Sequence, residues 1–251
     1  MTGRPQVRWL PSCGSTNAEA AAWLAADGPH GAAVVAAVQT EGRGRRGRSW
    51  WSPEGGLWVS FLLRPELPAD RVPMLALAAA LAAAEALESL GVDRIALKWP
   101  NDLLLSGRKF GGLLAELHPA PPGGAPGVVL GLGIDLDLPA PPPEDLAPLA
   151  TSIRSELGWA PSRESALDAI QTHLLEACRA VADADGTWLA RYRERLLGVG
   201  GPARVDVGGE SVRGTLAGVG PRGELLIDTP SGRRAVLAGD VHLIAGATAE
   251  P

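Results

Sequence analysis

A chain of 251 residues and 25.9 kDa with 46% hydrophobic content can fill one good-sized core, or one large and one small domain. With 28 acidic against 23 basic residues, its net charge is -5 and its pI near 5.4, so overall charge argues against a nucleic-acid partner and any positive patch is local. Cys13 and Cys178 lack metal-ligand spacing, the N-terminus lacks the apolar core of a signal peptide, and the apolar run from Val72 to Ala86 is short and broken by Pro73 and Glu85; a cytoplasmic protein with no membrane partner is expected.

Taken in order, Val7 to Leu10 forms a short strand leading to Ser15-Thr16-Asn17, where Ser15 or Thr16 can cap a helix whose apolar face includes Ala22, Trp23 and Ala26 and which ends near Gly28. On this pattern alone, capping is sufficient work for those three polar residues. Ala32 to Val38 reads as a buried strand, and Gln39 at its end is well placed to hydrogen-bond a ligand. Next comes GRGRRGRSW, Gly42 to Trp50. Arg43, Arg45, Arg46 and Arg48 fall within six positions, alternating with Gly42, Gly44 and Gly47. Glycine admits close backbone approach, and guanidinium forks bind phosphate or carboxylate oxygens two at a time. Such a loop suits a small anion, repels itself when empty, and offers Trp50 as a flat face for a ring. A solvated surface or a nucleic-acid patch is the competing reading of the same residues.

Leu57 to Leu63 is another strand, and Pro68 to Gly91 holds a long alanine-rich helix. Ile95 to Trp99 is a strand broken by Pro100. Asn101-Asp102 turn, and Ser106-Gly107 turns a hairpin whose return strand passes through Phe110 to Leu117. Lysine is nearly absent from the chain: only Lys98 and Lys109 remain, which points to two places needing an ammonium, both in or beside these strands. Asp102 can hold a metal, pair with an arginine, or make an Asx turn. His118 to Pro126 reads as a surface hairpin loop. Gly127 to Leu136 is a strand whose Gly131 and Gly133 either leave room for a ligand or mark a bulge. Pro139 to Pro148 is a stiff connector. Ser162 to Val181 is an amphipathic helix burying Leu167, Ile170, Leu174 and Leu175, and Thr187 to Leu197 a second burying Trp188, Tyr192 and Leu196. Beyond Gly198 to Pro202, five short strands separated by glycine turns make a small β-barrel. The fold class is α/β, with an α/β domain over residues 1–199 and a small all-β domain over 200–251.

STN, QTEGRGRRGRSW, KWPND, GRKFGGLLAEL and GLGID, in this order and followed by a small β-barrel, resemble biotin protein ligases over nearly the whole chain. The resemblance implies a mixed sheet flanked by helices, akin to class II aminoacyl-tRNA synthetases, with a C-terminal barrel of the Src-homology-3 type. It implies that biotin and Mg-ATP react to biotinyl-5′-AMP and pyrophosphate, and that the biotinyl group then passes to one lysine of a carboxyl-carrier protein. Only about a dozen residues precede STN, which leaves no room for the N-terminal winged helix of some relatives, so a ligase without repressor function is expected. By motif position, Ser15, Thr16 and Gln39 bind the ureido ring, Arg43, Gly44 and Arg45 close over biotin and its adenylate, Lys109 contacts the carboxylate or acyl oxygen, and Asn17, Gly42 and Gly112 are further biotin-site residues. Arg45, Arg48, Trp50, Asn101 and Asp135 serve ATP, Trp50 by stacking on adenine. Lys109, Arg43, Lys98 and Asp102 are the catalytic candidates, and Asp102 is also the candidate Mg²⁺ ligand. Asp135 departs from the pattern, which usually has Asn there; an acid beside a triphosphate needs a cation or metal partner, or lies outside direct contact. A lipoate ligase and a biotin sensor without turnover are the alternatives. Monomer and homodimer both remain open.

Overall fold

A computed structural model describes residues 5–67, 71–119, 126–138, 142–144, 146–183 and 185–244. Its larger sheet has seven strands in the order β1-β2-β3-β7-β6-β5-β4. These are β1 (Val7–Cys13), β2 (Ala33–Gln39), β3 (Leu57–Leu63), β4 (Ala96–Lys98), β5 (Asp102–Leu105), β6 (Arg108–His118) and β7 (Gly127–Ile134). Only β1 and β2 run parallel; the other neighbours are antiparallel, so the sheet is mixed. Every residue of β3 is buried, because this interior strand is covered on both faces.

The helices α1 (Thr16–Ala25), α2 (Val72–Ser89), α3 (Ile153–Leu157), α4 (Arg163–Ala182) and α5 (Thr187–Arg195) complete the layers. On one face Ala20, Trp23 and Leu24 of α1 pack on Val34, Leu62 and Val129. On the other, alternate residues Ala33, Val35, Leu57, Phe61 and Leu63 meet the apolar stripes of α2 and α4. The buried side of α1 is therefore Thr16, Asn17, Ala20, Trp23 and Leu24; Ala22 and Ala26 are exposed. The sequence pattern misassigned that face because alanines there are plentiful on both sides and carry little directional information. The expected start of α2 at Pro68 lies outside the described residues. At 18 residues α2 is long and apolar enough on composition to cross a membrane, but Leu75, Leu77, Leu81 and Leu87 spend that apolarity in the core. The tip of the His118 to Pro126 loop and part of the Pro139 to Pro148 connector also lie outside the described residues.

The β5–β6 hairpin turns at Ser106-Gly107, both at positive φ, 50° and 77°, the geometry of a two-residue hairpin turn. Asp102 is the first residue of β5, not part of a free turn. The C-terminal strands β8 (Pro202–Val207), β9 (Glu210–Val219), β10 (Leu225–Thr229), β11 (Gly232–Val236) and β12 (Asp240–Leu243) form an antiparallel sheet in the order β11-β10-β9-β8-β12. Its apolar face, including Ala203, Val205, Leu216, Leu225 and Ile227, is continuous with the main core. Trp99 Nε1 donates to the Gly223 carbonyl at 2.9 Å, and Arg193 Nε to the Val219 carbonyl at 2.7 Å. These bonds hold the second sheet beside β4 and so bring Asp240 to the arginine loop.

Candidate functional site

A cavity of about 520 Å³, in the range of small-molecule sites, opens over β6 and β7 beneath the arginine loop, with Asp240, Val241 and His242 of the second sheet on its rim. Glycines make this space. A Cβ on Gly131 would lie 2.1 Å from Asn17 Oδ1, and one on Gly133 would lie 2.6 Å from Trp50 Nε1. Gly112 sits beneath both Lys109 and Trp50, its ideal Cβ 3.1 Å from each. The two strand glycines thus give close approach, and the register pairs Gly112 with Gly133 directly.

At one end stands a polar cluster. Thr16 donates its backbone N–H to Gln39 Oε1 at 2.8 Å, and its hydroxyl lies 3.0 Å from the same oxygen. Gln39 Nε2 donates to Ser52 Oγ at 2.8 Å. Ser60 Oγ lies 2.8 Å from Thr16 Oγ1 and 2.6 Å from Asn17 Oδ1, and Asn17 Nδ2 donates to Glu116 Oε2 at 2.6 Å. Ser15 occupies the N-cap position of α1 with extended backbone, but its hydroxyl makes no capping bond. Ser15, Thr16 and Asn17 are all nearly buried and all line the cavity. Capping therefore does not account for them.

The arginine loop has structure of its own. Gly44 N–H donates to the Arg48 carbonyl and Trp50 N–H to the Gly42 carbonyl, closing a small hairpin around a 3-10 turn at Arg45–Gly47. Arg46 takes a left-handed φ of 55° and Gly47 one of 73°. The expectation of a self-repelling empty loop is corrected here, because two carboxylates from other elements answer its charge. Asp240 pairs with Arg46 at 2.9 Å and with Arg48, and lies 4.0 Å from Arg45. Glu116 of β6 lies 3.5 Å from Arg43. Arg45 also donates to Asn101 Oδ1 at 3.2 Å and to the Gly239 carbonyl, while Asn101 Nδ2 donates to the Leu113 carbonyl at 2.6 Å. Burial lowers the affinity of Arg45 for its proton, and Asp240 opposes that shift.

Beneath the loop, Lys109 Nζ makes an ion pair with Asp102 at 2.5 Å and lies 4.9 Å from the Trp50 ring centroid. Asp135 is almost fully buried on the same floor. Desolvation holds its carboxyl well above the usual range, and the Lys109 charge only partly offsets this. Its cationic neighbour is thus Lys109, not an arginine. Lys98 lines the cavity from β4, in register with Asp102. Trp50 lies inward against Gly112 and Gly133, with its indole N–H buried and without a hydrogen-bond partner. No group of three or more acidic, histidine or cysteine side chains suited to a metal occurs among the described residues.

The structure brings together every residue that the sequence motifs nominated except Gly42, which borders the site through the Trp50 hydrogen bond and a close approach to Ser52. Sequence reasoning missed Asp240, Glu116 and Ser60. Asp240 had no signal, since a Gly-Asp before a short strand reads as a turn. Glu116 lay inside the GRKFGGLLAEL stretch as the one acid of its strand, among the apolar residues Leu113, Leu114, Ala115 and Leu117, which was a usable cue.

Residues 10–135 match the model of the biotin/lipoate A/B protein ligase family, and residues 203–243 match that of the biotin protein ligase C terminal domain. The chain is 36% identical over 239 residues to the biotin–[acetyl-CoA-carboxylase] ligase of Paracoccus denitrificans, covering 90% of this chain and 96% of that protein. It is 33% identical over 250 residues to the ligase of the same name from Mycobacterium tuberculosis, covering 96% and 91%. Its fold is similar to that of the Aquifex aeolicus biotin protein ligase in complex with biotin and ATP, with a TM-score of 0.85 and 28% identity over 95% of this chain and 99% of that one.

Proposed function

Because this chain belongs to the biotin/lipoate A/B protein ligase family, on its biotin protein ligase side, we propose that it activates biotin with ATP and transfers the biotinyl group to a lysine of a carboxylase's carrier domain. The observation that carries this reading is the cavity floor: one of only two lysines in the chain, ion-paired and roofed by an arginine loop, above strand glycines. In the first step a biotin carboxylate oxygen bonds to the α-phosphorus while the bond to the β-phosphate oxygen breaks and pyrophosphate leaves. Two anions must meet, so the site needs cations fixed in advance. Lys109 is placed to take the carboxylate and Arg43, Arg45 and Arg48 the phosphates. Mg²⁺ enters with ATP as part of that substrate; a single carboxylate such as Asp102 together with phosphate oxygens is an ordinary magnesium environment.

In the second step the carrier lysine's neutral amine attacks the acyl carbon, an amide forms and AMP leaves. Ser15, Thr16, Asn17 and Gln39 present donors and acceptors suited to a cyclic urea. Trp50 and the loop exclude water from the anhydride. Residues 1–199 carry this chemistry and 200–251 supply Asp240 to the loop. The test is pyrophosphate release with Mg-ATP and either biotin or lipoate, repeated with Arg43→Ala. Release with biotin alone, lost in the variant, is expected. Release with lipoate would move the chain to the lipoate side of the family, and no release with either acid would point to a binding protein.

A further inference from the structure

We infer that Glu116, which does not line the cavity, is a positioning residue for recognition of the biotin ring: its carboxylate fixes the direction of the hydrogen-bond chain through Asn17, Ser60 and Thr16 and tethers Arg43. The inference rests on the biotin reading above. An ionised carboxylate accepts and never donates, so the Asn17 face turned to Glu116 at 2.6 Å must be its NH2 group. Asn17 Oδ1 is thereby turned to Ser60, 2.6 Å away, and claims that hydroxyl's single hydrogen. Ser60 has one hydrogen, so while Asn17 holds it Ser60 cannot also donate to Thr16, 2.8 Å away, and the Thr16 hydroxyl donates to Gln39 Oε1 at 3.0 Å. Gln39 is oriented independently, since its Oε1 takes the Thr16 backbone N–H and its Nε2 meets Ser52.

The consequence falls on Thr16, which lines the cavity while Ser60 is wholly buried behind it. With its hydrogen directed to Gln39, the Thr16 oxygen keeps its lone pairs for a ligand N–H. A cyclic urea offers two such N–H groups. Replacing the carboxylate with an amide releases the stronger of two constraints, leaving only the long 3.5 Å contact of Asn17 Nδ2 with the Leu114 carbonyl to oppose a flip. In Glu116→Gln the new NH2 can face Asn17 Oδ1, Asn17 turns over, and its NH2 meets Ser60. The Ser60 hydrogen then moves onto the Thr16 oxygen and occupies the acceptor that the ring needs. The same carboxylate reaches Arg43 at 3.5 Å, so one side chain sets both the ring end of the cavity and the start of the loop above it.

The experiment is steady-state pyrophosphate release by the full chain, varying biotin and ATP separately, with the thermal midpoint measured on each variant. Glu116→Gln is expected to raise the biotin KM by about tenfold, the effect of mispairing one buried polar group. The ATP KM and kcat should change by less than the biotin KM, since Arg43 loses only a partly exposed partner, and Glu116→Asp, which keeps the charge, should recover part of the loss. Ser60→Ala removes the one hydrogen that could move onto Thr16, without touching Arg43; alone it should leave the biotin KM within about twofold, and combined with Glu116→Gln it should recover most of the loss. An unchanged biotin KM in Glu116→Gln, equal losses toward biotin and ATP with a lowered midpoint, or a rise of about tenfold in Ser60→Ala alone would overturn the positioning role, and the last decides the matter if Glu116→Gln does not fold. Failure of the unsubstituted protein to release pyrophosphate with biotin would instead overturn the proposed function.

Discussion

Asp240→Asn should free the arginine loop without disturbing either sheet. The substitution leaves β12 and its register with β8 intact but removes the charge that meets Arg46 at 2.9 Å, Arg48 alongside it and Arg45 at 4.0 Å. Side-chain exposure of 43% for Arg46 and 64% for Arg48 means water screens these pairs, so each contributes in the range of about 0–1 kcal/mol. Arg45, only 25% exposed and also bonded to Asn101 and Gly239, keeps part of its anchorage without Asp240. The summed loss is then about 1–2 kcal/mol, which raises the open population of the loop roughly 5–30-fold. Trypsin reads this directly, because cleavage after an arginine of a transiently opened segment follows the open population. Fragments ending at Arg46 or Arg48 should appear faster by that factor in the empty variant, and addition of biotin with Mg-ATP should bring the two proteins closer together. Equal cleavage rates in the empty proteins would show that Asp240 does not hold the loop.

Lys109→Gln should lower adenylate formation by about 10²–10³-fold, the usual effect of deleting one charge-stabilising donor, measured as pyrophosphate release. Asp135→Asn should change the pH dependence of stability. The folded carboxyl titrates well above its ordinary value of 3.8, so the folded protein holds a proton that the unfolded chain has lost, and stability falls as pH rises from 3.8 through the folded value. The amide has no such loss, and thermal midpoints should increasingly favour the variant as pH rises; parallel profiles would refute this. Gly133→Ala places a methyl 2.6 Å from Trp50 Nε1, so the indole must leave its place on the strands at a cost of about 1–3 kcal/mol. Indole fluorescence and chemical denaturation would report both the displacement and the cost.

The strands and helices were legible because their signals are local. Leu57 to Leu63 reads as a buried run and is one, and the Ser106-Gly107 turn fixes the β5–β6 hairpin by its own backbone. Gly131 and Gly133 read either as room for a ligand or as a bulge; the β6–β7 register carries no bulge, and the space the glycines leave admits the Asn17 and Trp50 side chains at the cavity wall. Ser60 and Asp240 were not legible. Ser60 sits in an apolar run where a lone hydroxyl looks like filler, and it gains meaning only when α1 lays Asn17 against β3 and β7. Asp240 is 192 positions from Arg48, and nothing in a run of glycine turns says that β12 will face the loop. The helix face of α1 failed for a different reason: alanine is nearly neutral between core and surface, so Ala22 and Ala26 could be placed on either side.

The loop's state follows from how these tethers are distributed. Its own hydrogen bonds, Gly44 to Arg48 and Trp50 to Gly42, make it a small closed unit and not a floppy strand. Two carboxylates then hold that unit from opposite parts of the chain, Glu116 from the main sheet at Arg43 and Asp240 from the second sheet at the turn. Both pairs are partly exposed, and neither carboxylate is buried as Asp135 is, so an entering phosphate can take the arginines while the displaced acid returns to water at little cost. A buried partner would bind the loop too firmly to give it up, because stripping one member from a buried ion pair costs several kcal/mol. The same loop can therefore be ordered when empty and still surrender its charge to a triphosphate. That combination explains how a chain of net charge -5 keeps a cluster of arginines in place without a bound polyanion.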